Sequence, residues 1–164
     1  RKESSAASDV YKRQTLKYSF TCNPKFKSPN QLIIQSFCDK VFNFNKINNA
    51  EVSFVFCSDN LLSSLKKEYF NKNQYTDVIA FQMNEDSDKN LDGEIYISLD
   101  RALENSKTFK EPYEKEIIRL VIHGCLHLIG FNDQSFKEKK NMTKMEDKFL
   151  TLENWKKLFK YSDE

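Results

Sequence analysis

The chain has 164 residues, 39% apolar and 30% charged, with a formal net charge of +2 at neutral pH. That is enough chain for one domain with a real core, and a near-neutral balance makes no compositional case for nucleic-acid binding, which would need a basic surface set up by asymmetry. Only three glycines and three prolines argue against repeat and low-complexity architectures. No apolar run is long enough to span a bilayer, so no membrane partner is expected.

Residues 1–14 are expected to be a disordered or artefactual tail. The first methionine is Met83, and Ser4 through Gln14 resembles translated sequencing-adapter sequence; such a segment is left out of fold reasoning. The folded domain is then expected over residues 15–164.

Within it, residues 15 to 22 alternate (Leu16, Tyr18, Phe20, Cys22) as a first strand. Ser28-Pro29-Asn30 opens a helix near residues 29 to 43, with Leu32, Ile33, Phe37 and Val41 at helical spacing. Residues 51 to 58 put Val52, Phe54 and Phe56 on one face and form the clearest strand. Asp59 or Asn60 can cap a helix that carries Leu61, Leu62, Leu65 and Tyr69.

Residues 76 to 81 form a short strand, a polar loop covers 84 to 92, and a further strand covers 93 to 99 with Ile95, Ile97 and Leu99. A short helix follows near 100 to 105. Pro112 suits a first helical position, and Glu111, Glu114 and Glu116 favour the dipole of a helix running to about Ile129. A last helix, from Ser135 through Phe149, places Phe136, Met142, Met145 and Phe149 near one face. The order predicts an α+β single domain: one small mixed sheet of about four strands packed with about five helices.

Cys22, Cys38, Cys57 and Cys125 form no C-x-x-C pair and read as free thiols of a reducing, cytoplasmic compartment. Cys125 lies off the face shared by the two histidines and reads as a small buried apolar residue.

The chemistry concentrates in residues 121 to 136, which hold the only two histidines, His123 and His127. Residues four apart share a helix face, so both imidazoles reach one point. Gly130 tolerates the positive φ that ends a helix, which lets Asp133 return to that point. Two nitrogens and a carboxylate oxygen make a three-ligand zinc site with a fourth position open to water, the catalytic type. A histidine pair alone is a weak signal; Gly130 and Asp133 are what raise it. One Zn²⁺ per chain, held by His123, His127 and Asp133 on the central helix and the loop after it, is the expected cofactor.

The spacing H-x-x-x-H-x-x-G-x-x-D is that of the metzincin peptidases, with one difference. Those enzymes carry a glutamate general base directly after the first histidine. Here Gly124 stands there and can accept no proton, which disfavours a metallopeptidase. No catalytic residue is assigned beyond the metal ligands and their water, because no carboxylate of the motif has the position of a base.

Taken whole, His-Gly-Cys-Leu-His-Leu-Ile-Gly-Phe-Asn-Asp over residues 123 to 133, followed by Met142 and Glu146, resembles the signature of the YbeY family of bacterial rRNA maturation factors and zinc-dependent endoribonucleases. Thr76-Asp77-Val78-Ile79-Ala80-Phe81 and Asp92-Gly93-Glu94-Ile95-Tyr96-Ile97-Ser98 resemble two strand motifs of that family, in its order. The resemblance implies a single-strand-specific, metal-dependent endoribonuclease in small-subunit rRNA 3′ end processing and ribosome biogenesis. It also implies rRNA or the small ribosomal subunit as partner, an assembly GTPase as a further partner, and no DNA.

Two positions depart from the pattern. Asp133 stands where the family's commonest third ligand is histidine, and Phe70 stands where many members carry an arginine implicated in RNA contact or catalysis. Lys66, Lys67 and Lys72 are near enough in sequence to substitute as phosphate contacts. Lys137, Lys139, Lys140, Lys144 and Lys148 follow the site, interleaved with Glu138, Glu146 and Asp147, and read equally as an RNA grip or a salt-bridged solvated helix. A zinc-containing ribosome-assembly factor without catalysis is the alternative function.

Overall fold

A computed structural model of the chain describes residues 14–72, 76–85 and 90–160. Except for Gln14, the expected tail lies outside the described residues, as does the middle of the polar loop. Four strands form one sheet in the order β1-β2-β4-β3: β1 (Thr15–Cys22), β2 (Asn49–Cys57), β3 (Val78–Gln82) and β4 (Leu91–Ser98). β1 and β4 both run parallel to β2, whereas β3 pairs antiparallel with β4 and forms an edge. Five helices accompany them among the described residues: α1 (Gln31–Phe44), α2 (Asp59–Phe70), α3 (Leu99–Phe109), α4 (Tyr113–Leu128) and α5 (Phe136–Leu150), with a short 3-10 turn at Trp155–Lys157. This is the expected α+β domain with a mixed sheet.

The period-two pattern of the strands splits the molecule into two layers. Ala50, Val52, Phe54 and Phe56 of β2 and Ile95 and Ile97 of β4 join the main core with α1, α4 and α5. The opposite face is thinly covered: Cys57, Ile79 and Leu62 of α2 make a separate small cluster, bordered by Val55, Leu65, Phe81 and Tyr96. α4 is the central helix of the main core. Ile117, Ile118, Leu120, Val121, Ile122, Cys125 and Leu126 are all buried, each worth about 1.5–3 kcal/mol for the larger side chains.

Two glycines let α4 lie close against the sheet. A Cβ on Gly124 would meet Ile95 Cγ2 at 2.7 Å, and one on Gly93 would meet Leu128 Cδ2 at 2.7 Å. Each glycine leaves room for a side chain of the other element, Ile95 against Gly124 and Leu128 against Gly93, so Gly124 is demanded by packing as well as being unable to act as a base.

Boundaries shift where local chemistry decides them. Ser58, not Asp59 or Asn60, caps α2, accepting from the Leu61 amide; Asp59 instead takes the Arg101 guanidinium at 3.0 Å. Pro112 precedes α4 as its N-cap residue and does not open it. The short helix expected near 100 to 105 extends to Phe109, because Leu99, Ala102 and Ser106 are buried at helical spacing; a serine on the inner face hides that periodicity. Phe136 is 86% exposed and does not share the face of Met142 and Phe149, which are buried. Six residues of helix turn about 240° past full circles, so residue 136 points elsewhere than 142.

The four cysteines are free, and all but Cys22 are buried. Cys125 packs its sulfur 3.8 Å from that of Cys38 in the core, as its position off the histidine face predicts.

Candidate metal centre

α4 carries one polar stripe on an otherwise apolar surface: Glu116, Arg119, His123 and His127 recur at three- and four-residue intervals and so line up. The helix then ends in a Schellman turn. The Gly130 amide donates to the His127 carbonyl (3.1 Å) and the Phe131 amide to the Leu126 carbonyl (3.0 Å), with Gly130 at φ 102°. This is the left-handed residue that a glycine supplies without strain. The reversal carries the chain to Asp133.

The three side chains singled out in the sequence meet. His123 Nε2 lies 3.0 Å from His127 Nε2, and Asp133 Oδ2 lies 3.2 Å from His127 Nε2 and 3.3 Å from His123 Nε2. A tetrahedral zinc with ligands at about 2.0–2.1 Å has ligand-to-ligand edges of about 3.3 Å. The donor set is thus of the right chemistry and spacing to hold a metal ion. It opens into a cleft of about 400 Å³ lined by Lys66 and Phe70 of α2, Thr76 and Asp77, Val78, Ile79 and Ala80 of β3, and Gln134 beside the ligands. Because β3 is an edge strand, one side of its backbone is not taken up by sheet pairing.

Behind the histidines lies a charged network that sequence reasoning missed. His123 Nδ1 is buried without a hydrogen-bond partner. The nearest carboxylate is Glu146 of α5, whose Oε2 lies 3.5 Å away, just longer than a good hydrogen bond. A proton on Nδ1 facing this carboxylate leaves the Nε2 lone pair for a metal, the usual way a ligating histidine is oriented.

Glu146 is itself almost fully buried and receives Arg119 Nη1 at 3.0 Å. Arg119 also donates from Nε to Glu116 at 2.8 Å, and Asn105 bridges Glu116 (3.0 Å) to Asp77 (3.1 Å). Burial alone would lower the Arg119 pKa, but the hydrogen bond and charge of Glu116, joined by those of Glu146, hold it above its ordinary value. The guanidinium therefore stays charged between two buried acids. The stripe on α4 was the available signal: four polar residues in register on a buried helix need partners.

The lysines sort by position. Lys66 lines the cleft, while Lys67 and Lys72 are exposed and are not among its lining residues. On α5, Lys137, Lys140, Lys144 and Lys148 share one exposed face, opposite buried Met142, Glu146 and Phe149. The acids interleaved in sequence are not all interleaved in space. Glu138 closes a capping box with Ser135 and Glu146 points inward, leaving Asp147 exposed beside the lysines.

An α+β sheet with a three-donor cluster at the end of its central helix defines a recognisable class. A family model described as Endoribonuclease YbeY matches residues 20–153, and the chain belongs to that family. Endoribonuclease YbeY of Amoebophilus asiaticus is 37% identical over 133 residues, covering 81% of this chain and 90% of its own. The Karelsulcia muelleri protein of that name is 48% identical over 100 residues, 61% of this chain and 70% of its own. The solution structure of a Thermotoga maritima protein matches with a TM-score of 0.57 at 24% identity, covering 81% of this chain and 86% of that one; at that identity the likeness is one of fold.

Proposed function

We propose that the chain is a metal-dependent endoribonuclease acting on single-stranded RNA, with His123, His127 and Asp133 holding one zinc ion. The observation that carries this reading is the convergence of three donor atoms, at tetrahedral spacing, on an open cleft in a chain of the YbeY family. A zinc ion held there by His123, His127 and Asp133 would supply Lewis acidity and a water of near-neutral pKa. The protein's part is to orient His123 through Glu146, to present the cleft, and to attract the RNA backbone.

The lysine face of α5 begins at Lys137, three residues after Gln134, and suits phosphate contacts, so affinity for RNA should fall as salt rises. Within this reading the substrate is rRNA of the small ribosomal subunit, cut in 3′ end maturation, and the site of action is the cytoplasm. Among the described residues no helix is long and apolar enough to cross a membrane. An assembly GTPase as partner is an expectation of the family resemblance alone.

A non-catalytic zinc-containing assembly factor is the second reading. It is favoured by Phe70 in the place of the family's arginine and by the lack of an assigned base. Peptidase chemistry is opposed by Gly124, which is packed against Ile95 and leaves no room for the missing glutamate.

The test pairs metal content with cleavage. Wild-type protein should carry about one zinc per chain and cut single-stranded rRNA precursor in a chelator-sensitive way; His127→Ala should lose both. Full zinc occupancy in His127→Ala would overturn the ligand assignment. Binding of precursor without cleavage by the zinc-loaded wild type would favour the assembly factor.

A further inference from the structure

One phenylalanine lines the cleft that holds the three donors, and nothing in the metal chemistry calls for it. Phe70, the last residue of α2, lines the cleft together with His123, His127 and Asp133. Its ring is 45% exposed, although a phenylalanine at a helix end could turn inward. It is held from beneath: Phe81 of β3 stacks on it with centroids 6.1 Å apart and planes 21° from parallel. Phe81 is braced in turn by Tyr96, edge-on at 5.8 Å, and by Tyr69 at 5.3 Å. Among the described residues, the Phe70 ring also meets a cation, Lys66 Nζ at 4.7 Å from the centroid.

A lysine over an exposed ring is a loosely held cover. The ammonium sits on a flexible four-carbon stem, and an exposed cation–π contact is worth only about 0.5–1 kcal/mol. A flat π-system can take its place on the ring while the ammonium swings to a neighbouring anion. A nucleotide in a single strand offers both groups, a base to stack and a phosphate beside it. Stacking on one aromatic ring is tolerant of base identity, because every base has a π-face.

We infer that Phe70 is a stacking platform for one unpaired nucleobase of the RNA strand entering the metal cleft, with Lys66 released to the adjacent phosphate. This deepens the endoribonuclease reading and rests on it. The preference is for single strands: a base inside a duplex has no free face to give. Phe70 thereby substitutes hydrophobic stacking for the charge that the family's arginine would bring to this wall.

The experiment uses the whole protein as purified and a fluorescein-labelled, cleavage-resistant 2′-O-methyl oligoadenylate decamer, with binding read by anisotropy. Inorganic polyphosphate serves as a competitor that has phosphates and no bases. Phe70→Ala should weaken the decamer by about 5- to 100-fold, the worth of one stacked base, and leave competition by polyphosphate unchanged. Phe70→Trp should restore decamer binding, and its added indole emission should be quenched by the decamer and not by polyphosphate.

Decamer binding equal to wild type in Phe70→Ala, or a parallel loss for polyphosphate, would overturn the platform. If wild type fails to bind the decamer at all, the RNA reading itself falls and takes the platform with it. If wild type binds and cuts RNA while Phe70→Ala does both equally well, only the platform falls.

Discussion

The two walls of the cleft are built on different principles. The α4–α5 wall is rigid: α4 is pressed onto β4 at Gly124 with no space for a methyl group, and its polar stripe is locked by Arg119 between Glu116 and Glu146. The α2–β3 wall rests on a cluster of three buried residues, Cys57, Leu62 and Ile79, and shows solvent two aromatic side chains, Tyr69 and Phe70. A metal needs its ligands held to fractions of an ångström, whereas a single strand of variable sequence needs a surface that adapts. On the proposed reading, each wall has the construction its task requires.

The contrast breaks most severely at Arg119. Arg119→Met strands two buried carboxylates, so a loss of about 3–5 kcal/mol is expected, read as a lower denaturation midpoint. An unchanged midpoint would mean that Glu116 and Glu146 have other partners and that the rigid wall does not depend on the ion network.

Glu146→Gln keeps the shape of the side chain and removes its charge. Zinc affinity should fall about 10- to 100-fold, the usual cost of losing the group that orients a ligating histidine, while the melting temperature of the zinc-free protein moves much less. Zinc titration against a chromogenic chelator measures this; wild-type affinity would show that His123 is oriented without Glu146.

Gly124→Ala tests the close approach. The new Cβ must displace the fully buried Ile95, an overpacking cost of about 1–3 kcal/mol, offset in part by the gain of about 1 kcal/mol in helix propensity. The expected outcome is net destabilisation in urea; a variant more stable than wild type would mean that α4 can move off the sheet.

The smallest effect is electrostatic. Glu138 is held below its ordinary pKa by the Ser135 backbone amide first and the Ser135 side chain next. A depressed folded pKa means that its contribution is present above the unfolded value of about 4.3 and is lost as pH falls through the folded one. The difference in melting temperature between wild type and Glu138→Ala should therefore shrink with acidification. A difference that grows in acid would reverse the assigned sign.

By itself the sequence determined the succession of elements, the free cysteines and the metal-ligand candidates. Periodicity reports which residues share a face within one helix or strand, and His123, His127, Gly130 and Asp133 are related by one helix and the turn that ends it. It fell short wherever neighbours come from different elements. No spacing along the chain brings Glu146 of α5 to His123 of α4, or Phe70 of α2 to the same cleft as Asp133. The near-contact of Gly124 with Ile95 is equally invisible, because the separation of a helix from a sheet is a property of the assembled layers. Those pairings were decided by packing: α4 could bury its apolar sides only by threading its polar stripe between α5 and the edge strand, and that placement put the carboxylate behind the histidine and the aromatic ring in front of it.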